Sequence, residues 1–481
     1  MAFRCLARRR ALNVDSADVY QALYAGSAHS YWLDSRRVEA VKGRFSFMGD
    51  DQGPHAFVVS QRVDESPELD REMRSAAPLG VDIFASLAAG LDACALADTR
   101  DDLPFDFRGG YVGFFGYELM ALTEGVRGQR SALPDAQFLF SDRFIAFDHI
   151  NQDIYLVALE LTHEDSAESW FDSIETKLAA IRPRTAPSPA PLVDREALVP
   201  YLLDDRECYL AKIAHCQDKI AAGESYEICL TSRLRVPLDD EASVDPIELY
   251  LLLRETNPAP YACLIRTPDF SVLCSSPERF LKIDRHRVVE ARPIKGTTPR
   301  DADPAIDEHN RQHLARDQRY FSENLMIVDL LRNDLTRSCE PGTIKVPELM
   351  VVESYATVHQ LVSSIRGELR DSPIECIARC FPGGSMTGAP KHRTLEILAE
   401  LEDTPRGIYS GAIGYLSANA TVDMNIVIRT IVLVRDSVEI GVGGAITFQS
   451  DPEEEYEEMR LKAVAPFSAL RSHLDSKRAR L

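Results

Sequence analysis

The chain has 481 residues, enough for one large domain or two to three ordinary ones, and its 45% hydrophobic and 27% charged content is that of a globular protein. With 75 acidic against 54 basic side chains the net charge is −21, which argues against nucleic acid as a partner, because phosphate binding needs clustered positive charge. An anionic ligand would need a local basic site, and no apolar run reaches the length of a membrane span.

The N-terminus has Arg4, Arg8, Arg9 and Arg10 but no apolar core of signal-peptide type, and acidic, periodic sequence resumes by Asp15, leaving little room for a transit segment. Residues 1–181 read as an N-terminal β-rich region that packs onto a following core. Phe57-Val58-Val59, Phe138-Leu139-Phe140, Phe144-Ile145-Ala146-Phe147 and Ile154-Tyr155-Leu156-Val157 are short apolar runs divided by turn residues, and helical periodicity follows over 164–182. The glycine-dense stretch from Gly109 to Tyr117 is followed by aromatic residues, not by an amphipathic helix, so it predicts a closely packed strand rather than a dinucleotide loop. The proline-rich stretch 182–200 reads as a linker, and 201–470 as the catalytic region.

Within that region, Asp205 to Ala222 predicts an amphipathic helix ended by Gly223. Strands are expected over 228–236, 261–265 and 272–274, then a long helix over 319–335. The last third alternates a helix over 393–401 with strands over 411–416, 424–434 and 438–442. The fold class is therefore α+β with mostly antiparallel sheets, not a βαβ series. Ten scattered cysteines without a C-x-x-C pair read as reduced thiols in a cytoplasmic protein. His309 and His313 have metal-ligand spacing but no third ligand nearby, so a zinc site is not expected.

Several segments carry candidate chemistry. Asp451-Pro452 is a helix start, and Glu455, Glu458 and Lys462 then fall on one stripe. An exposed salt-bridge ladder would read the same way, but the glycine-rich Val442-Gly443-Gly444-Ala445-Ile446 just before it suits backbone approaching a ligand. Glu323 lies on a helix that reads as mostly apolar, and carboxylates on two helices suit Mg²⁺. Pro382 to Lys391 fails the phosphate-loop pattern, since Gly388 is followed by Ala389-Pro390, though its glycines and hydroxyls could line a carboxylate pocket. Arg429 ends a nearly pure apolar strand and must find an anion, either a structural partner or a ligand. His359 reads by the same reasoning as a core histidine. Lys295 stands between a proline turn and a Gly-Thr pair, in Arg292-Pro293-Ile294-Lys295-Gly296-Thr297.

Taken together, Ser276-Pro277-Glu278-Arg279-Phe280, the Lys295 segment, the Glu323 helix, Met386 to Lys391, Gly443-Gly444 and Glu455 to Lys462 resemble the chorismate-utilising enzymes of the anthranilate synthase component I family. Lys295 points to the branch forming 4-amino-4-deoxychorismate, since anthranilate-forming relatives carry alanine there. The resemblance implies a large β-sandwich flanked by helices that binds chorismate and Mg²⁺ in a cleft. It assigns Glu323 and Glu458, with Glu455 close by, to the metal. Arg429, Tyr409, Lys462, Gly443 and Gly444 match the substrate's carboxylate sites, and Gly296, Thr297, Thr387 and His359 other pocket positions. Glu278 is the implied acid for the departing C4 hydroxyl, and Lys295 the nucleophile at C2. For that, Lys295 is expected to be a free amine at neutral pH, its pKa lowered by cations or desolvation.

Ammonia is expected from glutamine through a separate amidotransferase subunit, with the product serving p-aminobenzoate and folate synthesis. Leu33 and Ser35, with Pro258 and Tyr261, resemble a tryptophan pocket of relatives, and plain core packing is the alternative reading. Anthranilate synthase, isochorismate synthase and a non-catalytic chorismate or tryptophan sensor are the rival functions. Lys295 opposes the first. Glu227, where isochorismate synthases place a lysine base, opposes the second, and retention of a nucleophile opposes the third.

Overall fold

The computed structural model describes residues 2–11, 14–35, 43–69, 79–97, 102–238, 244–354 and 358–479. Along the strand Glu227–Pro237 the side chains sort as a two-residue period requires. Ile228, Leu230 and Leu234 enter one buried cluster and Cys229 enters another. The same division runs through Ser437–Ile446, where Val438, Ile440, Val442 and Ile446 join the first cluster. These two strands pair antiparallel, with Glu227 one residue before the first paired position, Ile228 opposite Ile446.

The described strands form two large sheets, one of twelve strands and one of eleven, with nearly all neighbours antiparallel; the pairing of Ala2 with Ala95 is parallel. The inner faces meet through aromatic side chains. Phe47 of one sheet lies 5.9 Å from Tyr415 of the other, and Phe114 lies 5.9 Å from Phe270, both edge-on, the arrangement that ring quadrupoles favour. The outer face of the twelve-stranded sheet is covered by helices Arg206–Ala221, Pro246–Thr256 and Pro452–Arg478, which contribute Tyr209, Tyr250, Met459 and Phe467 to the same cluster as Ile228 and Val438. Burying side chains of this size stabilises the fold by about 1.5–3 kcal/mol each relative to exposure.

Strands from both ends of the chain are interleaved in each sheet. Ser30–Asp34 pairs with Tyr261–Arg266, and Gly110–Phe115 pairs with Ala412–Ser417. A buried ion pair between Asp34 and Arg254, 2.6 Å apart, ties the first of these strands to helix Pro246–Thr256, and the Arg254 guanidinium lies 4.9 Å from the Trp32 ring centroid. The proline-rich stretch runs along the helix side. Ala190 donates its N–H to Thr256, and Arg195–Tyr201 forms a 3-10 helix. Among the described residues no helix is long and apolar enough to cross a membrane.

Candidate active site

Two connections carry the chain from one sheet to the other at the same end of the sandwich. The first leaves strand Phe270–Ser276, passes through Glu278 and enters strand Arg279–Ile283 of the second sheet. The second leaves Val422–Ile426, passes through Arg429 and enters Thr430–Val434 of the first sheet. They are hydrogen-bonded to each other. Ser276 donates its hydroxyl to the Ile426 carbonyl at 2.6 Å, the Ile426 N–H donates to the Glu278 carbonyl at 3.0 Å, and Ser275 donates to the Arg429 carbonyl at 2.9 Å. Arg429 adopts φ +52°, a left-handed conformation uncommon for a non-glycine residue, and this local strain is held by its neighbours. Bidentate pairing of Arg279 with Asp423, at 2.8 and 3.0 Å, locks the first connection onto the second sheet.

Glu278 is buried. Burial pushes its carboxyl up to about 7, against the opposing pull of Lys295, a Ser385 hydroxyl and Arg429. Arg429 makes no ion pair within 4.0 Å among the described residues. Burial lowers its pKa and only Glu278 counters that. A largely buried guanidinium without a carboxylate partner is a place for an anion.

Lys295 lies on strand Ile294–Pro299, at the edge of the second sheet, and Glu227 begins Glu227–Pro237 near the edge of the first. Their side chains meet, Lys295 Nζ to Glu227 Oε1 at 2.9 Å, with the lysine 12% exposed and the glutamate fully buried. The expected free amine is not what this pairing gives. Burial works to lower the lysine's pKa, but Glu227 and Glu323 outweigh it and hold the group above its ordinary value, as an ammonium. The helix Gln318–Thr336 that carries Glu323 is less buried than its apolar content suggests, with Phe321 and Leu325 exposed.

The short strand Gly388–Ala389 pairs with Glu227 and fixes its position. Gly388 has φ +127°, and a Cβ there would lie 1.9 Å from the Glu227 carbonyl oxygen. Gly388→Ala should therefore cost about 2 kcal/mol or more, read as a lowered thermal midpoint, and should move Glu227 away from Lys295. A thermal midpoint equal to the parent's would contradict this packing. Thr387, fully buried, directs its hydroxyl to the Gly384 carbonyl at 3.2 Å, and its own carbonyl accepts from the Cys229 N–H.

On the helix side, strand period places Gly444 toward Pro452–Arg478, where its Cα hydrogen faces Glu455 and Lys462. A Cβ there would be 3.2 Å from Glu455 Oε2 and 3.8 Å from Lys462 Nζ. Lys462 donates to the Gly443 carbonyl at 3.0 Å and pairs with Glu458 at 2.9 Å, and Glu455 accepts from Ser450 at 2.7 Å. Gly441, on the opposite face, lies under the Tyr409 ring, whose carbon atoms leave no room for a Cβ. Among the described residues no three His, Cys, Asp or Glu side chains form a ready metal cage. Glu323 on one helix and Glu455 and Glu458 on another are hard oxygen donors, the type Mg²⁺ takes one or two of while keeping several waters.

Other expected site residues lie in different surroundings. His359 is buried with both ring nitrogens engaged, by Ser354 at 2.7 Å and Asp307 at 3.1 Å; Ala356 and Thr357, just before it, lie outside the described residues. Gly296, with φ +89°, packs against Leu314 and Tyr320, while Thr297 is exposed opposite Gln360. Leu33 and Ser35 flank Asp34 near strand Tyr261–Arg266. Ser35 donates to the Phe45 carbonyl at 2.7 Å, Tyr261 lies under the Arg279 guanidinium, and Pro258 is exposed. Glu227 as a partner of Lys295, and Ser385 as a partner of Glu278, were not foreseen. A carboxylate heading a buried strand was the available signal for the first.

The sequence pattern of the chorismate binding enzymes matches residues 69–468. The chain belongs to the chorismate binding enzyme family. It is 42% identical over 481 residues to an aminodeoxychorismate synthase of Streptomyces pristinaespiralis, covering 98% of this chain and 65% of that protein. It is 34% identical over 388 residues to aminodeoxychorismate synthase component 1 of Bacillus subtilis, covering 78% of this chain and 79% of that protein.

 In the solved structure of anthranilate synthase component I from Streptococcus pneumoniae, 25% identical, the same fold recurs with a TM-score of 0.73 over 89% of this chain and 92% of that one. The chain spans about half to two-thirds of the length of the first four curated relatives it matches, 50% to 65%. Family membership therefore establishes the fold and the chorismate binding class, and the residues of the site must distinguish among the reactions that class performs.

Proposed function

We propose that this chain converts chorismate and ammonia to 4-amino-4-deoxychorismate, with the ammonia released from glutamine by a separate amidotransferase subunit and the product serving p-aminobenzoate and folate synthesis. The observation that carries the reading is Lys295: a primary amine, nearly buried, paired with Glu227 at 2.9 Å and acting electrostatically on Glu278. The names of the relatives from Streptomyces pristinaespiralis and Bacillus subtilis support the same direction.

In this reading Lys295 attacks C2 of chorismate while the C4–oxygen bond breaks. Glu278, whose carboxyl is pushed up to about 7 by burial, still holds a proton near neutral pH and gives it to the departing hydroxyl, which leaves as water. Ammonia then attacks C4 and the lysine leaves C2. Arg429 holds a substrate carboxylate, which answers its missing ion pair, and Lys462 and the Gly443-Gly444 backbone hold another with Tyr409 beside them. Thr387, whose carbonyl accepts from the Cys229 N–H beside Glu227, shapes the surroundings. Glu323, Glu455 and Glu458 would hold Mg²⁺, which when bound supplies positive charge that draws electron density from the ring carboxylate.

The test is a product assay on the isolated chain with chorismate, Mg²⁺ and either an ammonium salt or glutamine. Ammonium should give a nitrogen-containing product that keeps the enolpyruvyl group, identified by mass and absorbance. Glutamine alone should give no more than about 1% of that rate, because no amidotransferase subunit is added to the assay. Anthranilate as the main product, isochorismate, or no turnover at all would each reject the reading, and efficient use of glutamine would reject the separate subunit.

A further inference from the structure

Paired with the buried Glu227 carboxylate at 2.9 Å, Lys295 is held as an ammonium, which has no lone pair with which to attack carbon. A nucleophilic lysine therefore needs a proton acceptor within hydrogen-bond reach. Glu227 Oε1 is 2.9 Å from Lys295 Nζ, and no other hydrogen bond is made by that nitrogen among the described residues. The carboxylate is fully buried, and its second oxygen, Oε2, is buried without any hydrogen-bond partner. A buried carboxylate oxygen left unpaired is costly for a purely structural ion pair, which would be expected to satisfy both oxygens.

Its position is rigid. Strand pairing with Ala389 and the contact of Gly388 against its carbonyl set the backbone, and the Ser225 hydroxyl donates to the same carbonyl at 3.0 Å. The other charged or titratable groups that act on Lys295 come from three directions: Cys229 on the same strand as Glu227, Glu323 on helix Gln318–Thr336, and Glu278 on the connection between sheets. Of these, Glu278 is already assigned to the leaving oxygen and Glu323 to the metal.

We propose that Glu227 is a catalytic residue of the lysine step, the base that takes a proton from Lys295 Nζ before attack on C2 and returns it when the lysine leaves. This rests on the covalent-lysine reading above. The protons balance. Transfer from Nζ to Oε1 turns the ammonium and carboxylate into a neutral amine and a carboxylic acid. The amine's electron pair forms the N–C2 bond as the C4–O bond breaks, and the proton from Glu278 leaves with the hydroxyl as water. Ammonia forms the new C4–N bond, the C2–N pair returns to the lysine, and Glu227 reprotonates it. The ammonium formed at C4 gives up the proton that restores Glu278.

The experiment uses the full chain with chorismate, Mg²⁺ and ammonium salt, comparing the parent with Glu227→Gln, Glu227→Ala and Lys295→Ala. Glu227→Gln keeps size and an acceptor oxygen but cannot take the proton, so kcat should fall on the order of 10²-fold or more, with the KM for chorismate within about threefold of the parent. Glu227→Ala should fall similarly, and added formate, a small carboxylate that fits the vacated space, should restore at least about tenfold of its rate, while Glu227→Gln should not respond. Thermal melting establishes that each variant is folded; should Glu227→Ala not fold, the Gln variant decides alone. A kcat for Glu227→Gln within about twofold of the parent, or a folded Glu227→Ala that formate leaves unimproved, overturns the proposal. If Lys295→Ala is inactive in product formation and Glu227→Gln is not impaired, Glu227 alone is wrong. If Lys295→Ala makes the same product at the parent rate, the lysine reading beneath it is wrong.

Discussion

Lys295→Ala should lower 4-amino-4-deoxychorismate formation by at least about 10³-fold, and part of the remaining turnover should yield anthranilate. Without a side-chain nitrogen on C2, that carbon is open to ammonia, and a ring carrying nitrogen there can go on to lose pyruvate. Stability must be separated from chemistry in this variant. Lys295 is the ion-pair partner of a fully buried carboxylate, and removing one member of such a pair costs about 3–5 kcal/mol. The double variant Lys295→Ala/Glu227→Gln removes the orphaned charge and should recover most of the lost stability while remaining inactive in the lysine-dependent reaction. Chromatography with mass detection reads the products, and thermal melting reads the fold. The same product at the same rate from a folded Lys295→Ala would remove the nucleophile from the mechanism.

Glu278→Gln should reduce kcat/KM by roughly 10²- to 10⁴-fold, the usual range for loss of a general acid. Its pH dependence carries the more specific signature. Glu278 must be protonated to donate, and its carboxyl is pushed up to about 7 by burial, against Lys295, Ser385 and Arg429. The acid is therefore present below about pH 7 and lost above it. With rates expressed per free ammonia, to remove the titration of ammonium itself, kcat/KM for chorismate should fall as pH rises through about 7. In Glu278→Gln that limb should vanish. A parent profile that stays level from pH 6 to about pH 9 would assign the proton to another group.

The local elements were legible because they are local. The helix expected over 205–222 is Arg206–Ala221, ended by Gly223 at φ +78°, and the one expected over 319–335 is Gln318–Thr336. Asp451 caps the last helix through the N–H groups of Glu453 and Glu454, as an aspartate before proline suggests. The helix then continues to Arg478, past Pro466, which sits within it. What the sequence could not supply is which strand lies beside which. Lys295 and Glu227 are 68 positions apart, and their meeting depends on two sheet edges that no periodicity identifies. The charge of Lys295 was misjudged for the same reason. Desolvation was foreseen, but the two carboxylates that outweigh it arrive through tertiary structure.

The interleaving of strands from distant parts of the chain governs how this protein must be made. Trp32 waits for Leu264, and Val112 for Tyr415, before either early strand gains these neighbours. During synthesis the first third of the polypeptide emerges with sheet edges whose partners have not yet been translated. Such long-range closure is slow, so the nascent chain spends its most exposed interval holding unpaired backbone, and its yield in a cell should depend on chaperones more than its final stability suggests.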